Sequence, residues 1–156
     1  LGTMIARAPY DQIRQAHLGD VVGLLALLRP LEEAGILIQR PQYRLDADIE
    51  HYTVIERDGM VVGCAALYPL DEHCAEVASI AIHPDYRGGS RGDELLEFIE
   101  SRARSEGFTR LFALTTHTSH WFIEHGFIET AVSSLPTSRQ ARYDNGRNSK
   151  IFVKSI

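Results

Sequence analysis

Along the first third of the chain the apolar residues Val21, Val22, Leu24, Leu25, Leu27 and Leu28 recur three and four positions apart, the spacing that lines one face of an α-helix. The pattern predicts a helix within Gly19 to Ile38, with Asp20 near its start. Pro30 should end or kink it, because proline lacks the amide that the helical ladder needs. Beyond Arg40-Pro41, the positions Leu45, Ile49 and Tyr52 predict a second, shorter helix facing the core. The period then drops to two. Thr53 to Arg57 and Met60 to Tyr68 predict strands joined at Asp58-Gly59, a hairpin signal because both residues accept positive φ. Glu76 to His83 predicts a further strand, and Arg91 to Glu106 a helix with Leu95, Ile99 and Ala103 on one face and Gly107 as its stop. Arg110 to Thr115 reads as a strand, Ser119 to Glu124 as a short helix ending at Gly126, and Lys150 to Lys154 as a last strand after a turn at Asn145-Gly146.

This order describes an α/β layer fold with an antiparallel first half and a strand-helix-strand crossover in its middle. A chain of 156 residues suits a single domain with a real core. Hydrophobic residues at 44% and charged residues at 24% are ordinary for a soluble globular protein, and no segment is apolar for long enough to cross a bilayer. The net charge of −5 argues against a surface that tracks nucleic acid, while leaving room for a small phosphorylated ligand at a local site. Two cysteines are too few for a disulfide framework; Cys64, inside MVVGCAALY, is expected to be a small buried hydrophobe, and a reducing cytoplasm fits. The opening Leu1-Gly2-Thr3-Met4 shows no secretory signal and suggests a cut end or a tag remnant.

The most informative stretch is EVASIAIHPDYRGGSRG, Glu76 to Gly92, a strand running into a glycine-rich turn that opens a helix. Backbone amides at a helix N-terminus have no helical partner, and glycines let a pyrophosphate approach them closely. Arg87 and Arg91 add positive charge. Taken alone, Gly88, Gly89 and Gly92 are equally compatible with an ordinary loop. The spacing fits neither a dinucleotide fingerprint nor a Gly-Lys-Ser/Thr phosphate loop, so hydride transfer and nucleotide hydrolysis lose support.

With these residues in view, the sequence resembles the GCN5-related N-acetyltransferase superfamily, whose pyrophosphate loop reads Arg/Gln-x-x-Gly-x-Gly/Ala. Arg87 and Gly92 match, and Ser90 stands where the pattern has its first glycine. The segments RPLEEAGIL, EVASIAIHPDYRGGSRGDELL, RLFALTT, HWFIEHGF and NGRNSK together resemble the acetyltransferase domain of bacterial N-acetylglutamate synthases, over about Gln12 to the C-terminus. The resemblance implies an α/β (α+β) fold with a central mixed, mostly antiparallel sheet flanked by helices. It implies acetyl-CoA as cosubstrate, L-glutamate as acceptor and a place at the first step of arginine biosynthesis in the cytoplasm. It also implies a partner absent here, an N-terminal amino-acid-kinase-like domain, and a homo-oligomeric full-length protein. On this reading residues 1–11 are a tag or interdomain linker remnant and residues 12–156 the acetyltransferase domain.

Acetyl transfer to an amine needs a group that takes a proton from the ammonium, because a protonated amine cannot attack a carbonyl. The resemblance places that general base at Glu76. Backbone amides of Ile80, Ala81 and Ile82 on an irregular strand would stabilise the oxyanion, and their side chains are expected in the core. The departing thiolate would take a proton from Thr115; the tyrosine that many relatives place four residues before the helix-ending glycine is Phe122 here. The pyrophosphate would lie on Arg87, Gly88, Gly89, Ser90, Arg91 and Gly92. Arg40, Arg147 and Ser149 match the family's contacts to the substrate carboxylates, and arginine's planar fork suits that task.

Seven histidines raise the question of a metal, but the intervals between His117, His120 and His125 match no zinc spacing, so none is expected. Trp121 and Phe122 are expected in the core. Two other readings stay open: an acetyltransferase for another small amine, and a noncatalytic CoA-binding regulatory module.

Overall fold

Helix α1 (Val21–Glu33) buries Val21, Leu24, Leu27 and Leu28 and leaves Val22 79% exposed, so the three-and-four period picks the inward face and Val22 falls outside it. This computed structural model describes residues 11–156; of the segment read as a tag or linker remnant, all but Asp11 lies outside the described residues. Pro30 does not end α1, which continues to Glu33. The one helical bond it forfeits is to the carbonyl of Ala26, and both residues are exposed, where water can take that bond. The helix stops instead at Gly35, whose φ of 77° turns the chain while the Ile36 amide returns to the Leu31 carbonyl.

The other elements are β1 (Gln12–Gln15), α2 (Gln42–Asp48), β2 (Tyr52–Arg57), β3 (Met60–Pro69), β4 (Cys74–Ile82), α3 (Arg91–Ser105), β5 (Arg110–Thr115), α4 (Ser119–Glu124), β6 (Ile128–Thr130), α5 (Thr137–Gln140) and β7 (Lys150–Ser155). Among the described residues seven strands form one mixed sheet in the order β1-β2-β3-β4-β5-β7-β6. By their contacts the described residues group into two units, one holding residues 11–66 together with Ser79–Phe98, the other Leu67–Ala78 together with Ile99–Ile156.

In the first unit β1, β2 and the start of β3 are antiparallel, and Asp58 and Gly59 at φ of 49° and 80° make the tight turn that their sequence announces. Tyr52, expected on a helix, opens β2 instead and is 1% exposed. Leu45 of α2 is buried as expected. Gly63 is a close approach: a side chain there would meet Ile55 and Ile82 at 2.9 Å. Arg14 of β1 donates to both carboxylate oxygens of buried Asp20 at 2.8 and 2.9 Å and to Glu56 at 2.6 Å. Asp20 therefore ties β1 to the start of α1 rather than capping the helix with its side chain. Cys64 is fully buried, and burial pushes its thiol up to about 12.

In the second unit β4 and β5 are parallel, pairing from Cys74↔Arg110 to Val77↔Ala113, as the crossover through α3 requires. β7 pairs antiparallel with both β5 and β6. Cys74, Phe112, Leu135 and Ile151 pack into one apolar cluster, and the end of α3 is fixed by Lys154 donating to buried Glu100 at 2.7 Å. Gly107, at φ of 92°, is the expected helix stop. The turn expected at Asn145-Gly146 is present: the Asp144 side chain accepts from the amides of Gly146 and Arg147, and the left-handed residue is Asn148 at φ of 50°.

Candidate active site

Strand β4 changes character at Ser79, a non-glycine residue at φ of 54° within a strand. Such a conformation costs of order 1 to 3 kcal/mol and persists only where the surroundings impose it. The Ser79 carbonyl accepts from the buried Cys64 thiol at 3.3 Å, and its hydroxyl lies 3.5 Å from the Tyr52 hydroxyl. Beyond this kink come Ile80, Ala81 and Ile82, the segment predicted to offer its amides to an oxyanion. Of their side chains only Ala81 is buried; Ile80 and Ile82 are half-buried.

The turn that follows puts Arg87, Gly88, Gly89 and Ser90 on the surface, with Arg91 and Gly92 half-buried where α3 starts. Gly88 sits at φ of 88° with open space where a side chain would project, so the backbone itself faces outward. That is the form a pyrophosphate cradle needs, fifteen residues of helix behind it supplying the dipole. The two arginines are partly committed. Arg87 Nε donates to the Ile82 carbonyl at 3.0 Å. Arg91 lies over the Tyr86 ring, donates to the Tyr86 carbonyl and contacts Asp11 at 2.9 Å, which directs its fork to the base of the turn. Ser90 donates its hydroxyl to Glu94 at 2.9 Å, within the first turn of the helix.

In the second unit, the partner of Glu76 is Arg139, a residue that sequence reasoning missed. Arg139 Nε meets Glu76 Oε1 at 2.6 Å and Nη2 meets Oε2 at 3.4 Å, with both side chains close to nine-tenths buried. A solvated strand-end glutamate is thereby ruled out; the carboxylate is held in place by the guanidinium fork. Arg139 lies on α5, a four-residue helix behind Pro136 in a stretch without hydrophobic period. Only Leu135-Pro136 announces a turn there, and a pair 63 positions apart leaves no mark in one sequence.

Thr115 ends β5 and is buried. Its hydroxyl oxygen accepts from the amides of His117 and Thr118 at 3.2 and 2.9 Å and is hydrogen-bonded to the Thr118 hydroxyl at 2.7 Å. Phe122 is buried between Phe127 and Phe152, as expected of a core aromatic, and Trp121 stacks on His125.

Of the predicted carboxylate contacts, Arg40 belongs to the first unit and Arg147 and Ser149 to the second. Arg40 helps to line a small pocket, partly open to solvent, with Leu28, Glu32, Leu45, Tyr52 and Ser79. Arg147 is half-buried on the turn closed by Asp144, and the Ser149 carbonyl accepts from the Tyr143 hydroxyl at 2.6 Å. Among the described residues no three His, Cys, Asp or Glu side chains group as metal ligands, and no helix is long and apolar enough to cross a membrane.

Comparison with known proteins gives this arrangement a family. Residues 21–127 match the model of the Acetyltransferase (GNAT) family. The chain is 50% identical over 154 residues to the amino-acid acetyltransferase of Vibrio vulnificus, covering 98% of this chain and 35% of that protein. It is 49% identical to the corresponding protein of Pseudomonas fluorescens, covering 99% of this chain and 36% of that one. The chain thus spans about a third of the length of the curated relatives it matches. Among solved structures, N-acetylglutamate synthase from Neisseria gonorrhoeae, complexed with coenzyme A and N-acetyl-glutamate, superposes with a TM-score of 0.90 at 43% identity, over 94% of this chain and 35% of that one. By the family match, by these identities and by the fold, the chain belongs to the GNAT acetyltransferase family.

Proposed function

We propose that the chain is the catalytic portion of an amino-acid N-acetyltransferase, moving the acetyl group of acetyl-CoA to the α-amine of L-glutamate. The observation that carries this reading is the largely buried Glu76 carboxylate, which lies on the strand that kinks at Ser79 and is held by Arg139, in a chain half identical to amino-acid acetyltransferases. Half identity over nearly the whole chain favours an amino-acid acceptor over an unrelated amine.

Acetyl-CoA supplies an activated thioester. The exposed turn Arg87 to Gly92, with its backbone facing outward at Gly88, suits the pyrophosphate. Glu76 takes the proton that makes the acceptor amine a nucleophile. Held by Arg139 at 2.6 Å on Oε1 and at a longer 3.4 Å on Oε2, it is oriented by one oxygen and keeps the other less engaged for that proton. Amides of Ile80, Ala81 and Ile82 stabilise the oxyanion, and Thr115 supplies a proton to the departing thiolate. Arg40, Arg147 and Ser149 bind the two carboxylates that distinguish glutamate from neutral amino acids. In the cell this reaction would open arginine biosynthesis in the cytoplasm. The full-length protein would carry an N-terminal amino-acid-kinase-like domain and assemble as a homo-oligomer.

The test is release of free CoA from acetyl-CoA, followed with a thiol reagent while common amino acids are offered singly. Turnover with L-glutamate alone is expected. Turnover with a different amine would keep the chemistry and remove the roles given to Arg40 and Arg147. Binding of acetyl-CoA without turnover on any amine would favour a CoA-binding regulatory module.

A further inference from the structure

Arg40 stands in the irregular segment between α1 and α2, seven residues beyond the end of the helix. Nevertheless both of its main-chain polar groups are fixed. Arg29 Nη1 donates to the Arg40 carbonyl at 2.7 Å and to Glu32 Oε1 at 2.6 Å, while Glu32 Oε2 accepts from the Arg40 amide at 3.3 Å. One ion pair on the last turns of α1 therefore grips the peptide groups on either side of a single Cα.

An ion pair three residues apart on a helix is ordinarily a solvated surface feature. Here Glu32 is 8% exposed, so its charge has left water. Burying a carboxylate is unfavourable unless it gains charge-assisted hydrogen bonds, and the second bond it gains is to the Arg40 backbone. Glu32 itself lines the pocket together with Arg40, Tyr52 and Ser79. A guanidinium on a long, flexible stem loses rotamer entropy on binding, and a fixed Cα reduces what remains to be ordered.

We propose that Arg29 and Glu32 are positioning residues for acceptor recognition, clamping the Arg40 backbone so that its guanidinium is presented to a carboxylate of the amino-acid substrate. The proposal rests on the reading of Arg40 as a substrate-carboxylate contact. It assigns Arg29 and Glu32 no contact with substrate; they act through Arg40.

The experiment compares wild type with Arg40→Ala, Glu32→Ala, Arg29→Gln, Arg29→Lys and the double variant Glu32→Ala/Arg40→Ala. It measures kcat, the KM for each substrate, L-glutamate binding to the CoA-saturated chain by calorimetry, and Tm. Arg40→Ala should weaken glutamate about 10- to 100-fold, the range of a lost charge-assisted pair. Glu32→Ala and Arg29→Gln should raise the glutamate KM about 5- to 10-fold while the acetyl-CoA KM stays within about 2-fold. The double variant should be no worse than Arg40→Ala alone, since Glu32 acts only through Arg40. Arg29→Lys, which keeps the charge and a donor, should recover most of the loss.

Should Glu32→Ala unfold, Arg29→Gln carries the same expectation, because Arg29 is 38% exposed and its removal opens no core. Folded Glu32→Ala and Arg29→Gln with wild-type glutamate KM, beside a defective Arg40→Ala, overturn the clamp and leave the reading of Arg40 intact. A fully additive double variant overturns it as well. Wild-type behaviour of Arg40→Ala, or a wild-type chain that neither binds nor acetylates glutamate, removes the reading of Arg40 and the clamp with it.

Discussion

At the scale of single residues, Glu76 and Arg139 make separable predictions, because one is assigned to the reaction and the other to holding it in place. Glu76→Gln should lower kcat by about 10²- to 10⁴-fold, the usual worth of a positioned base, while acetyl-CoA affinity stays within a few-fold. Equilibrium binding and steady-state rates on the same preparation decide the matter; unchanged kcat would remove Glu76 from the mechanism. Arg139→Ala instead strands a carboxylate whose side chain is 12% exposed. Breaking a buried pair in this way costs about 3 to 5 kcal/mol, so denaturant melts should show a lower midpoint with an unchanged m-value. Arg139→Lys should fall between, since lysine keeps the charge and loses the fork. A wild-type midpoint for Arg139→Ala would show that the pair contributes nothing to the fold.

At the scale of elements, the Arg14 and Asp20 pair joins β1 to the start of α1, and its signature is pH. Hydrogen bonds from Arg14, opposed by desolvation and helped by the His17 amide, hold the Asp20 carboxyl below its ordinary range. A carboxyl depressed on folding stabilises the native state above its unfolded value, about 3.9, and that contribution is lost as pH falls through the lower folded value. Asp20→Asn should therefore be less stable than wild type at neutral pH and show a shallower loss of stability between about pH 5 and 3; parallel acid limbs in urea melts would contradict this. The same element shows how far sequence reaches. Helices α1 and α3, the Asp58-Gly59 hairpin and the crossover around β4 were legible because each has a strong period or a turn residue. Strand β1 was not: it is polar apart from Ile13, and it exists because β2 pairs with it and Arg14 reaches Asp20. Strand β6 and helix α5, three and four residues long, are too short to show a period. Tyr52 was misplaced because an apolar residue three beyond Ile49 fits a helix, whereas the strand begins there. In the candidate site the glycine-rich turn could be read locally, while the partner of Glu76 and the clamp on Arg40 are tertiary.

At the scale of the whole molecule, a ligand that binds only the folded chain raises its stability by mass action, about 2.7 kcal/mol at one hundred times Kd. For a chain of this length, CoA at that excess should raise Tm by roughly 5 to 11 °C, which differential scanning fluorimetry would register. An unchanged Tm would contradict the assignment of the Arg87 to Gly92 turn. The order of the sheet has a further consequence, for colloidal behaviour. Among the described residues its two margins are β1 and β6, strands of four and three residues, and β1 presents Gln12, Arg14 and Gln15. So little margin offers a second chain almost no template for strand addition. The segment best suited to intermolecular stacking is β3, a charge-free run that lies inside the sheet and is buried from Val61 to Leu67. Self-association should therefore wait for unfolding: light scattering should rise together with loss of structure on heating, and concentrated native protein should stay clear.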